Sequence, residues 1–149
     1  MRGALAQSGL DPHRLELEVT EGILIRDTEE TLAALSQLRA IGVRLAMDEF
    51  GTGYASLGYL RKFRFDKIKI DQSFVRNLGS DPNAEAIMRA VVGMSDALGI
   101  STNAEGVENN EQAAMLRALG CREAQGFLYS KAVPRDALHA LLDSKRQAA

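Results

Sequence analysis

From Leu15 onward, short runs in which apolar and polar side chains alternate are interleaved with longer runs whose apolar positions recur every three or four residues. The first rhythm belongs to half-buried strands and the second to amphipathic helices. Strands are predicted over Leu15–Thr20, Val43–Met47, Phe65–Ile70, Ile100–Ala104 and Glu123–Phe127. Between the first two, Asp27 with Glu30 three residues on reads as a helix start; Leu32, Leu35, Leu38 and Ile41 form the apolar stripe, and Gly42 stops it. Asp81 and Pro82 open a second helix with Ile87, Val91, Met94 and Leu98 on one side, ending at Gly99. Asn110 opens a third, bearing Met115, Leu116 and Leu119, which Gly120 closes, and Pro134 opens a fourth around Leu138, Leu141 and Leu142. Met1–Gly9 reads as the tail of a helix that precedes the first strand. Unbroken alternation of strand and helix predicts an α/β chain with a parallel sheet.

Parity within the strands narrows the architecture. Leu17 and Val19 oppose Glu16, Glu18 and Thr20; Leu45 and Met47 oppose Arg44, Ala46 and Asp48; Ile68 and Ile70 oppose Lys67, Lys69 and Asp71. In the fourth strand Ser101, Asn103 and Glu105 share the polar side. A doubly wound sheet is covered on both faces, and rows of buried charge there cost several kcal/mol each unless paired. A barrel places the apolar faces under its outer helices and turns the polar faces inward, toward a mouth at the C-terminal strand ends. The pattern therefore favours a partial (β/α) barrel of about five consecutive units.

Composition changes this picture little. The 149 residues are 26% charged and 46% hydrophobic, as in an ordinary globular domain, and no linker or repeat divides them. No apolar run approaches the ~20 residues of a membrane helix and no signal-peptide core follows Met1, so a cytoplasmic location is expected, in a parent protein that is itself free to be membrane-attached. The lone Cys121 permits no internal disulfide and reads as a small buried hydrophobe. A formal charge of −2 gives no general attraction for a DNA or RNA duplex.

Chemistry gathers at the strand ends: Glu18 and Glu21, Asp48 and Glu49, Lys69 and Asp71, Glu105 and Glu108, then Gln125. Barrel enzymes keep their reactive groups there. Carboxylates converging on one mouth repel unless a cation neutralises them, and hard oxygen donors suit Mg²⁺ or Mn²⁺. Such an ion activates water and steadies charge on a phosphoryl group, with Lys69 placed to orient that water. A structural ion-pair network on the inner face is the competing reading. Asp71 is equally well read as a helix cap. Lys67 is expected to pair with an inner carboxylate, and Arg61, Lys62 and Arg64 to form a solvated helix end.

The runs Leu-Glu-Val-Thr-Glu (17–21), Asp-Glu-Phe-Gly-Thr-Gly-Tyr-Ala-Ser-Leu (48–57), Ile-Lys-Ile-Asp (68–71), Ala-Glu-Gly-Val-Glu (104–108) and Gln-Gly-Phe (125–127) occur in an order and at spacings that resemble the EAL domain family. The resemblance implies a modified TIM barrel that linearises cyclic di-GMP to pGpG with Mg²⁺ or Mn²⁺. It implies Glu18, Asp48 and Glu49 as metal ligands, Lys69 as the residue holding the attacking water, and Glu105 as general base or metal-site carboxylate. Gln125 and Gly126 become site residues, with Glu21, Asp71 and Glu108 in support. The loop at Phe50, Gly51, Thr52 and Gly53 resembles the segment that couples the family's metal site to its dimer interface. A homodimer, and a GGDEF, PAS or receiver domain in the parent chain, are the partners this implies. Two departures accompany the match. Residues 1–149 correspond to the C-terminal part of the domain, without the earlier strands that carry the Glu-Ala-Leu motif and a metal-binding asparagine, so the isolated chain is expected to be inactive. The family's Asp-Asp pair is Asp48-Glu49 here, which opens two further readings: a receptor that binds cyclic di-GMP without cleaving it, and a truncated, inactive fragment.

Overall fold

A computed structural model describes residues 1–25, 29–51 and 56–147. Its centre is a parallel sheet of β1 (Glu16–Thr20), β2 (Arg44–Phe50), β3 (Lys67–Ile70), β4 (Ser101–Ala104) and β5 (Glu123–Ala124). The strands lie side by side in chain order. That sequential order is the order of a barrel wall; a doubly wound sheet reverses direction at a switch point. Around it run α1 (Arg2–Ser8), α2 (Glu21–Ile25), α3 (Glu29–Ala40), α4 (Ser56–Lys62), α5 (Gln72–Arg76), α6 (Pro82–Ala97), α7 (Asn110–Ala118) and α8 (Arg135–Gln147), with a 3₁₀ turn at Pro12–Arg14.

The apolar strand faces meet the helices as parity requires. Val19, Leu45, Met47, Ile68 and Ile70 are buried against Leu24, Leu35, Val75, Met88 and Leu116. Phe63 and Phe65 meet edge to face at 5.2 Å beside them. Helix starts follow side-chain chemistry: Asp81 accepts from the Asn83 amide at the head of α6, and Asn109 with Gln112 forms a reciprocal capping box on α7. The expected start at Asp27 lies outside the described residues, and α3 is first described at Glu29.

Three expectations are corrected. The buried face of α6 is Ala84, Met88, Val92 and Ser95, whereas Ile87 and Leu98 of the expected stripe are exposed. β5 is two residues long and does not reach Phe127. Past it the Gln125 amide still donates to the Ala104 carbonyl at 2.9 Å, but Gly126 then runs so close to the Val107 backbone that any Cβ at 126 would collide with it. The chain turns away there, leaving Phe127 exposed. β2 ends three residues beyond the expected Met47, through a bulge between Met47 and Phe50. Regular alternation would carry the Glu49 carboxylate into the core. With Glu49 held left-handed at φ 56°, the strand gains one residue, Glu49 stays exposed, and Phe50 takes the core position.

Candidate active site

The polar strand faces are stacked in two tiers. In the lower one Lys67 of β3 is in register with Ala46, whose small side chain leaves room beside it. Its Nζ lies 2.9 Å from Glu16 Oε1 and 2.7 Å from Glu123 Oε2. Burial alone would depress this ammonium; the hydrogen bonds to Glu123 and Glu16 outweigh that and raise it. The expected inner-face pairing of Lys67 is present.

The upper tier, at the strand ends, is built on Lys69. Its Nζ lies 2.7 Å from Glu105 Oε1, 2.8 Å from Glu18 Oε2 and 3.0 Å from Asp48 Oδ1. The side chains of Lys69, Asp48 and Glu105 are largely buried, while that of Glu18 is half exposed, which gives the cluster one open side. Burial would again lower the ammonium, but the bonds to Glu105, Glu18 and Asp48 prevail and hold it well above the ordinary lysine range. Lys69 is thus a permanent cation and donor near neutral pH and not a base. One ammonium against three carboxylates leaves two formal negative charges in a partly buried space.

Gln125 continues the network: its Nε2 donates to Glu105 Oε1 at 2.7 Å, and its Oε1 accepts from Asn103 Nδ2 at 3.1 Å. Glu105, Gly106, Glu108, Gln125 and Gly126 line a cavity of about 580 Å³ together with Gln72, Arg76, Phe127 and Ser130. It adjoins the Lys69 cluster through Glu105 and Gln125. Its lining sets one guanidinium, an aromatic ring and backbone at glycine beside the carboxylates of Glu105 and Glu108.

Glu18, Asp48, Lys69, Glu105 and Gln125 are therefore brought together. Glu49 is placed on the bulge, where its amide donates to Asp48 Oδ1 at 3.0 Å. Asp71 is a cap: it accepts from the Ser73 amide at 2.9 Å at the start of α5. Glu21 opens α2, and its side chain lies outside the described residues, as do Thr52 and Gly53. Phe50 is buried, and Gly51, at φ 95°, packs so tightly on the Phe74 ring that a Cβ would stand 2.8 Å from it. Sequence reasoning did not select Asn103, Gln72, Arg76 or Phe127. Parity alone could have nominated Asn103, which shares the polar face with Glu105.

The donors fit a divalent ion in kind, being hard carboxylate oxygens with two negative charges in excess. Among the described residues no three acidic, histidine or cysteine side chains form a ready cage, and the three carboxylates close on Lys69 instead.

The EAL domain model matches residues 1–132. The chain belongs to the EAL domain family. It is 41% identical over 146 residues to the cyclic di-GMP phosphodiesterase NbdA of Pseudomonas aeruginosa, covering 98% of this chain and 19% of NbdA. The solved structure of the PaMucR phosphodiesterase in complex with c-di-GMP superposes with a TM-score of 0.85 at 42% identity, over 92% of this chain and 56% of that one. The manganese and cyclic di-GMP complex of Klebsiella pneumoniae BlrP1 superposes at 0.82 with 40% identity, over 87% and 33%. The chain spans about a fifth of the length of the curated relatives it matches. No helix among the described residues of this EAL chain is long and apolar enough to cross a membrane.

Proposed function

We propose that this chain supplies the C-terminal strand-end machinery of an EAL domain that hydrolyses cyclic di-GMP to linear pGpG with Mg²⁺ or Mn²⁺. The observation that carries the reading is the convergence of Glu18, Asp48 and Glu105 from separate strand ends on the single Lys69 ammonium. Glu18 and Asp48, with Glu49 beside them, are the residues that would hold the ion. When bound, a divalent ion lowers the pKa of water and offsets charge building on a phosphoryl oxygen. Lys69, fixed as a cation, donates to the attacking water and orients it. Glu105 takes up the proton, and Gln125 keeps that carboxylate in place. Arg76 and Phe127 face the dinucleotide in the adjoining cavity.

The test replaces the matching segment of PaMucR with residues 1–149 and resolves pGpG from cyclic di-GMP in Mn²⁺. The chimera is expected to release pGpG, and Lys69→Met or Glu105→Gln to abolish release. The chain alone, which covers little more than half of that solved structure, is expected to release none. Glu49 on its left-handed bulge favours a second reading, a receptor that binds without cleaving. A folded chimera that binds cyclic di-GMP in Mn²⁺ and never yields pGpG would select it and overturn the first.

A further inference from the structure

Asn103 is buried on the polar face of β4, 7% exposed, in register with Lys69 on one side and Glu123 on the other. Its Nδ2 donates to Gln125 Oε1, and its Oδ1 has no partner among the described residues. The direction of this chain of bonds is forced from its far end. A carboxylate only accepts, so Gln125 must turn Nε2 toward Glu105; its Oε1 then faces Asn103, which must answer with a donor. The orphaned Oδ1 is a cost that an apolar side chain at 103 would not carry. What the amide contributes is its N–H, aimed at Gln125.

We propose that Asn103 is a positioning residue: by donating to Gln125 Oε1 it holds that amide in the orientation Glu105 imposes, so that Gln125 and Lys69 both stay fixed as donors to Glu105 Oε1. The role rests on the reading of Glu105 and Lys69 as site residues, and it concerns how rigidly that carboxylate is presented.

The experiment follows the side-chain amide of Gln125 by nuclear magnetic resonance in the 149-residue chain, alongside its thermal melting. In the unsubstituted chain the Gln125 Nε2 protons are expected downfield and slow to exchange, as donors to a carboxylate. Asn103→Leu removes both the donor and the orphaned oxygen. It is expected to speed exchange of those protons about tenfold, the scale of one lost hydrogen bond, without lowering the melting temperature. Asn103→Asp, nearly the same shape but acceptor-only at neutral pH, is expected to perturb the Gln125 signal more than leucine does, because it asks Gln125 to reverse. Should the aspartate variant fail to fold, the leucine variant decides. An unchanged Gln125 amide in Asn103→Leu overturns the proposal, as does a leucine variant that loses stability while its Gln125 signal stays in place. Neither readout needs turnover, so a chimera that releases no pGpG defeats the catalytic reading without touching this one.

Discussion

At the scale of single residues, Lys69 is the charge on which the site depends. Lys69→Met leaves three carboxylates facing one another and is expected to cost about 3 kcal/mol near neutral pH, the lower end for removing one partner of a buried ion pair. The sign with pH follows from the raised Lys69 pKa: its contribution is complete below the ordinary lysine value and lost as pH rises through the higher folded value. The variant's deficit in melting temperature is therefore expected to be full near neutral pH and to shrink in strong alkali. Mn²⁺ should raise the melting temperature of Lys69→Met more than that of the unsubstituted chain, because it replaces the missing cation. Glu49 gives a second prediction. Aspartate tolerates the left-handed region better than glutamate, so Glu49→Asp is expected to gain about 0.5 kcal/mol in denaturant melts and to tighten Mn²⁺ binding in titration calorimetry. The carboxylates and Lys69 were legible because a period of two assigns each side chain to a face. The bulge was not: alternation breaks at Asp48-Glu49-Phe50, which reads as the strand ending at Met47, and only the cost of sending Glu49 into the core reveals the extra residue. The bond from Asn103 to Gln125 was hidden too, since it depends on how β4 and the segment after β5 align.

Among the elements, α5 shows how a strand-end carboxylate can serve the backbone. Burial would push the Asp71 carboxyl up, but hydrogen bonds from Ser73 and Gln72 and the nearby Arg76 outweigh it and hold it below the usual aspartate range. That contribution is present above the ordinary aspartate pKa and lost as pH falls through the lower folded value. Asp71→Ala is expected to lose about 1 kcal/mol at pH 7 in denaturant melts, and less at pH 3, whereas Asp71→Asn keeps the cap and loses only the acid dependence. Strand order and the starts of α6 and α7 were readable from parity and capping residues; the buried face of α6 was not. Its two candidate stripes differ by a rotation of about 100°. The buried one includes Ser95, whose hydroxyl donates to the Val91 carbonyl at 2.7 Å and so enters the core without an unpaired group.

For the molecule as a whole, the lower tier has a geometrical consequence. At ~4.8 Å per strand, a flat sheet would set β1 and β5 each about 10 Å to the side of β3, beyond the span of a glutamate side chain. Yet Glu16 of β1 and Glu123 of β5 both touch the same Lys67 ammonium. They can meet only if the sheet curls, so Lys67 measures the curvature of the wall and helps to hold it. Lys67→Met is expected to relax that curl, seen as a longer distance between spin labels placed on β1 and β5, whereas an unchanged distance would assign the bend to the helices alone. The lysine two residues before the one that serves the site thus ties together the two edges of the wall on which that site is assembled.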